Sequence, residues 1–154
     1  MAPDPQRSST MTLIRGGRVF SPQDLGVRDI LLASGSIAAV AEPSSIFVSG
    51  LEIEIVEASG KTVIPGFVDS HVHILGGGGE GGPTSRAPEF ALETAVSSGV
   101  SSLIGLLGTD CTTRHLESLL AKAYSLEEEG VSTYVMTGGW GVPALSLTGS
   151  VQSD

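Results

Sequence analysis

From Met11 to Pro65 the apolar residues come in short runs broken by glycine. Thr12-Leu13-Ile14-Arg15 precedes Gly16-Gly17, and Arg18-Val19-Phe20 follows; residues 29–33 lead through Ser34-Gly35-Ser36 to Ile37-Ala38-Ala39-Val40. Runs of this length between glycine turns predict small antiparallel strands. Leu51-Glu52-Ile53-Glu54-Ile55-Val56-Glu57 alternates, predicting a strand with one buried and one wet face. A turn at residues 58–61 and a strand over Thr62-Val63-Ile64 complete a small β-domain, residues 11–65.

After Pro65-Gly66 the period changes. Residues 67–74 (Phe-Val-Asp-Ser-His-Val-His-Ile) predict a strand, followed by a glycine-rich loop over residues 76–82. Pro88 suits the first turn of a helix, with Glu89 near its positive end and Leu92, Ala95 and Val96 on its apolar face. Gly99 ends that helix, and residues 100–107 form a near-continuous apolar run, as a strand covered on both faces requires. Residues 114–129 predict a second helix with Leu116, Leu119, Leu120 and Ala123 at core spacing, and residues 131–136 a third strand. Gly99-Val100-Ser101 and Gly130-Val131-Ser132 sit at the same place in two successive strand-plus-helix units. Alternating β and α signals imply an α/β fold with a parallel sheet. Residues 66–154 hold about two and a half such units, whereas a (β/α)₈ barrel needs roughly 250 residues. The chain is therefore expected to be either a smaller open sheet or a piece of a barrel.

Charge narrows the function. With 17 acidic and 8 basic residues the net charge is −9, and no Lys/Arg cluster offers a face for phosphates. Nucleic acid and anionic membranes are not expected partners. No apolar run is long enough to span a bilayer, and residues 1–10, rich in Pro and Ser, lack the apolar centre of a secretory signal. They are expected to be a disordered tail, and the protein to be cytoplasmic. A single cysteine, Cys111, rules out an internal disulfide. It is expected to be a small buried or loop residue.

His71-Val72-His73 is the sharpest chemical feature. In a strand, residues i and i+2 share a face, so both imidazoles can reach one metal ion. Asp69 has the same parity and can orient a ligand. Gly76-x-Gly78-x-x-Gly81 also fits a dinucleotide fingerprint, but Pro83 and Pro88 delay the helix that pyrophosphate binding needs. His115, at the start of the second helix, reads as a surface residue, and Glu127-Glu128-Glu129 as a solvated helix end.

The run Val63-Ile64-Pro65-Gly66-Phe67-Val68-Asp69-Ser70-His71-Val72-His73 resembles the opening barrel strand of the amidohydrolase superfamily. The β-domain before it, with its Ser34-Gly35-Ser36-Ile37 turn, is similar to that superfamily's small β-sandwich. The loop over residues 75–84, Arg86-Ala87-Pro88-Glu89, Gly105-Leu106-Leu107-Gly108-Thr109-Asp110, residues 118–123, Glu128-Glu129-Gly130 and Thr148-Gly149-Ser150-Val151 look like the isoaspartyl (β-aspartyl) dipeptidases. The resemblance runs co-linearly from about Met11 to Asp154. It implies the start of a (β/α)₈ metal-dependent hydrolase barrel, preceded by part of a small β-sandwich, and cleavage of the isopeptide bond of β-aspartyl dipeptides.

Carried over residue by residue, the resemblance makes His71 and His73 zinc ligands in a site of two zinc ions bridged by a carboxylated lysine. Gly78, Gly79, Glu80 and Thr109 would line the substrate site, with Glu80 accepting the substrate's ammonium. Trp140 stands where the family has a tyrosine; its indole donates one hydrogen bond and accepts none. The bridging lysine, two further histidines, a catalytic aspartate and the substrate-binding arginines belong to later strands, which this sequence does not reach. The 154 residues alone are therefore expected to be inactive and to fold poorly, with an exposed sheet edge. The resemblance also implies a homo-oligomer at full length. Two other readings stand beside it, a non-catalytic remnant and a cyclic-amide (dihydropyrimidinase-like) hydrolase.

Overall fold

The computed structural model describes residues 11–154; residues 1–10, where the disordered tail is expected, lie outside them. The chain divides into two compact units, Met1–Pro65 and Gly66–Asp154. The fold is mixed α and β, with eight strands, two α-helices and one 3-10 turn among the described residues.

The first unit is a five-stranded sheet. Strands β1 (Met11–Phe20), β2 (Asp24–Ala33) and β3 (Ser36–Ala41) form an antiparallel meander. Gly16-Gly17 is no turn, contrary to the sequence reading. The strand runs through it, and a one-residue register shift against β2 between Ile14 and Gly17 marks a bulge. Gly16 takes φ +72°, a conformation glycine adopts without penalty. The bulge is also where β1 changes partner on its other edge: β4 (Ile53–Glu57) pairs with Met11–Arg15, and β5 (Thr62–Val63) with Arg18 and Val19. Both pairings are parallel, so only the glycine-separated runs β1 to β3 pair in the antiparallel way read from the sequence. The alternation over residues 51–57 does not bury a face either. Ile55 and Val56 are both exposed, and only Ile53 is partly covered.

A buried carboxylate fixes the bulge. Asp29, 1% exposed, accepts from the amide of Gly16 and from the amide of Ser44, both at 2.8 Å. Leu13, Val19, Ile30 and Ala58 supply the apolar core of this unit.

In the second unit β6 (Phe67–Val72), β7 (Val100–Gly105) and β8 (Ser132–Val135) form a three-stranded parallel sheet. Helix α1 (Leu92–Ser97) connects β6 to β7, and α2 (Leu116–Glu128) connects β7 to β8. Both helices are shorter than predicted. Pro88 and Glu89 lie ahead of α1, and Arg114 lies ahead of the α2 cap, His115, which is exposed. Of the predicted α1 face only Ala95 is fully buried, while Val96 is exposed. Gly99 (φ +71°) and Gly130 (φ +101°) follow the helices and turn the chain into the next strand.

The core lies between the helices and one sheet face, with Ile74, Leu103, Leu119 and Leu126 fully buried. A Cβ at Gly105 would come within 2.8 Å of Ile74 Cδ1, so the strand passes Ile74 only because that position has no side chain. The opposite face is open on the flanking strands, while on β7 itself Ser102 and Ile104 are half-buried. Register places Val68, Ile104 and Tyr134 on it, and Val68 and Tyr134 are 66% and 65% exposed.

Candidate metal and substrate site

The loops that follow β6 and β7 carry the candidate residues. Strand β6 ends at Val72, so His71 is its penultimate residue and His73 lies just beyond it, where a strand through Ile74 was predicted. A register shift between Asp69 and Val72 bends the strand end. The two rings nevertheless come together, with centroids 5.3 Å apart and planes at 86°. Two imidazoles bound to one tetrahedral zinc at ~2.0–2.1 Å place their centroids roughly 5 Å apart, so the spacing fits a shared ion. His73 Nδ1 lies 3.3 Å from the carbonyl of Leu106, which favours the proton on Nδ1 and leaves the Nε2 lone pair for a metal. Asp69 does not touch either ring through a hydrogen bond. Its carboxylate accepts from the backbone amide of His71 at 3.2 Å and so braces the strand end. Among the described residues no third His, Cys, Asp or Glu gathers with these two.

The His73 ring is held between two glycines. A Cβ on Gly77 would lie 3.2 Å from His73 Cδ2, and one on Gly108 would lie 3.5 Å from Cε1 and Nδ1. The loop between them requires glycine for space as well as for conformation. Gly76 (φ +78°) and Gly78 (φ +73°) face backbone carbonyls that a Cβ would approach to 2.3 Å, those of Ala87 and Ser85 respectively. Ser85, unnoticed in the sequence, closes the loop tip. Its Oγ accepts from the amides of Gly79 and Gly81, each at 3.2 Å, and donates to the carbonyl of Gly82 at 2.9 Å. Ser85 belongs to the short 3-10 turn Pro83–Ser85, so no helix N-terminus meets the glycines as a dinucleotide fold would require.

Glu80 and Thr109 meet across this site. The Thr109 hydroxyl donates to Glu80 Oε1. This hydrogen bond, helped by a backbone amide and more weakly by His73, holds the Glu80 carboxyl below the usual glutamate range. Gly78, Gly79, Glu80 and Thr109 all line one cleft of about 310 Å³, together with Arg86 and Asp110. Asp110 accepts from the amides of Thr112 (3.1 Å) and Thr113 (2.8 Å), from the Thr113 hydroxyl and from Arg86. Those bonds, the Thr113 hydroxyl first, push its carboxyl well below the ordinary aspartate range.

Trp140 is not among the residues lining this cleft. The residue is 79% exposed, and its backbone amide meets Cys111 Sγ, next to Asp110, at 3.2 Å. Cys111 is a half-buried loop thiol whose Sγ lies 3.4 Å from the carbonyl of Gly108. No described helix is long and apolar enough to cross a membrane.

No family-wide sequence profile matches the chain. Individual proteins do. The solved structure of beta-aspartyl dipeptidase from Fervidobacterium islandicum AW-1, in complex with beta-Asp-Leu dipeptide, is 43% identical with a TM-score of 0.88, covering 96% of this chain and 38% of that one. Imidazolonepropionase of Anaeromyxobacter sp. (strain K) is 32% identical over 154 aligned residues, 88% of this chain and 35% of the relative. L-hydantoinase of Paenarthrobacter aurescens is 30% identical over 134 residues, 85% of this chain and 27% of the relative. The chain thus spans 27–38% of the length of these proteins. The isoaspartyl dipeptidase resemblance read from the residues is a likeness in sequence and in fold along nearly the whole chain, and the wider set of relatives is that of the amidohydrolases.

Proposed function

We propose, from the likeness to the beta-aspartyl dipeptidases and other amidohydrolases, that these 154 residues are the front of a zinc-dependent hydrolase cleaving the isopeptide bond of β-aspartyl dipeptides. On this reading the parallel sheet β6-β7-β8 is the opening of a (β/α)₈ barrel and the first unit is part of its small β-sandwich. The open sheet face bearing Val68 and Tyr134 would then line the barrel interior.

The observation that carries the reading is the Glu80–Thr109 pair beside His71 and His73. A β-aspartyl dipeptide differs from a cyclic amide by a free ammonium group, and a carboxylate kept ionised is its natural partner. Glu80, held by Thr109 in a glycine-walled cleft, supplies one. Gly78 and Gly79 let the substrate backbone approach closely. His71 and His73 fit as two of the metal ligands by spacing and by the free Nε2 of His73, and the remaining ligands would come from a longer chain. Zinc in such a site lowers the pKa of a water and polarises the scissile carbonyl. Trp140, in place of the family's tyrosine, has one N–H to offer the substrate carbonyl and no acceptor.

A dihydropyrimidinase-like reading has the hydantoinase likeness behind it. Glu80 separates the two. In the active protein Glu80→Gln should raise KM for β-Asp-Leu and lower kcat/KM by about a hundredfold, because an ammonium loses its charged partner. Unchanged kinetics would remove Glu80 from substrate binding, and turnover of hydantoins without turnover of β-Asp-Leu would favour the cyclic-amide reading.

A further inference from the structure

Arg114 ends the loop before α2, and its side chain turns inward until the residue is only 9% exposed. The guanidinium donates to the carbonyls of Leu75 at 2.8 Å, Ala87 at 3.0 Å and Gly77 at 3.4 Å. Those carbonyls belong to the two ends of the glycine-rich loop, which are also tied by the amide of Ala87 donating to Gly77 at 2.8 Å. Arg114 Nη1 lies 3.9 Å from Asp110, the residue after Thr109. Asp110 in turn pairs with Arg86 in the segment returning from the loop. One cation therefore joins the base of the loop carrying Glu80 to the segment carrying Thr109.

The geometry suits arginine alone. A guanidinium presents five N–H groups in a rigid plane and can serve three diverging carbonyls at once, whereas an ammonium is a compact point of charge. An apolar replacement would leave the buried carbonyl of Leu75 without this donor and would release Ala87 from the clamp, while Gly77 would keep the amide of Ala87.

We propose that Arg114 is a positioning residue for substrate binding: it clamps the glycine-rich loop so that Glu80 stays against Thr109 in the place where the substrate's ammonium docks. The proposal rests on the reading that Glu80 receives that ammonium. His71 sits on the β6 end, which has its own backbone ties to β7, whereas the His73 ring also packs against Gly77 of the clamped loop, so turnover is compared per zinc bound.

The test has two parts. Amide hydrogen exchange is compared in wild type, Arg114→Ala and Arg114→Lys. Amides of residues 77–82 should exchange about tenfold faster or more in Arg114→Ala, and less so in Arg114→Lys, with those of β1 to β3 unchanged. In β-Asp-Leu hydrolysis Arg114→Ala should raise KM about tenfold, with kcat per bound zinc within about threefold and KM partly restored by millimolar guanidinium. Wild-type loop exchange in both variants, or a fall in kcat with KM unchanged, overturns the proposal. Should Arg114→Ala fail to fold, Arg114→Lys decides by the same two readouts. If the wild type does not cleave β-Asp-Leu, the functional reading fails and the exchange comparison alone decides whether Arg114 holds the loop.

Discussion

The hydroxyl of Thr109, after β7, donates to the carboxylate of Glu80, after β6. Two loops that are separate in sequence are joined by the pair proposed to receive the substrate. The bond stabilises the ionised form of Glu80, so the folded pKa lies below the ordinary one. Ionisation is then complete above the ordinary glutamate value and is lost only as pH falls through the depressed one. Thr109→Val should move the acid limb of the kcat/KM profile to higher pH, and Thr109→Ser should leave it in place. An identical limb in Thr109→Val would show that this hydroxyl does not tune Glu80.

Gly77 tests the proposed role of His73 as a metal ligand without altering that residue. Its backbone does not need a positive φ, but a Cβ there would press on the His73 ring at 3.2 Å from Cδ2. Gly77→Ala should weaken zinc binding about tenfold, the scale on which disturbed ligand orientation acts, while the thermal melt of the protein stays near wild type. Zinc affinity equal to wild type would mean that His73 is free to yield or is not a ligand.

Asp29 tests the first unit. Its buried carboxylate is shared by the amides of Gly16 and Ser44. Asp29→Ala leaves both donors unpaired and should cost about 2–4 kcal/mol of stability. Asp29→Asn, which keeps one acceptor, should cost less. Denaturant melts monitored on β1 to β3 read the difference, and equal stability of Asp29→Ala and wild type would assign the bulge to backbone pairing alone.

Leu119 tests the second unit. It is fully buried between α2 and the sheet, so Leu119→Ala should destabilise by about 2–5 kcal/mol. A loss under about 0.5 kcal/mol in a denaturant melt would mean that this core repacks freely.

The parts of the fold set by local chemistry were readable before the structure. Helix α2 announced itself by Leu116, Leu119 and Ala123 at core spacing, and the glycine loop by its composition. What escaped were the features decided by distant partners. Gly16-Gly17 reads as a turn because a bulge uses the same residue, and only Asp29 and the change of partner from β4 to β5 make it a bulge. The alternation of residues 51–57 promises a buried face that β4 does not have in this chain. His71 and His73 were legible through strand parity, although the strand ends between them. Arg114 was invisible, because a lone arginine at a predicted helix start carries no sign of three carbonyls awaiting it. Asp110 and Ser85 were missed for the same reason.

The most direct measurement is zinc content and peptide turnover of the protein purified as the product of its full reading frame. The account predicts bound zinc, hydrolysis of β-Asp-Leu that a chelator abolishes and zinc restores, and no cleavage of the α-linked isomer. A product that binds no zinc, or that holds zinc and opens hydantoins while leaving β-Asp-Leu intact, would contradict it.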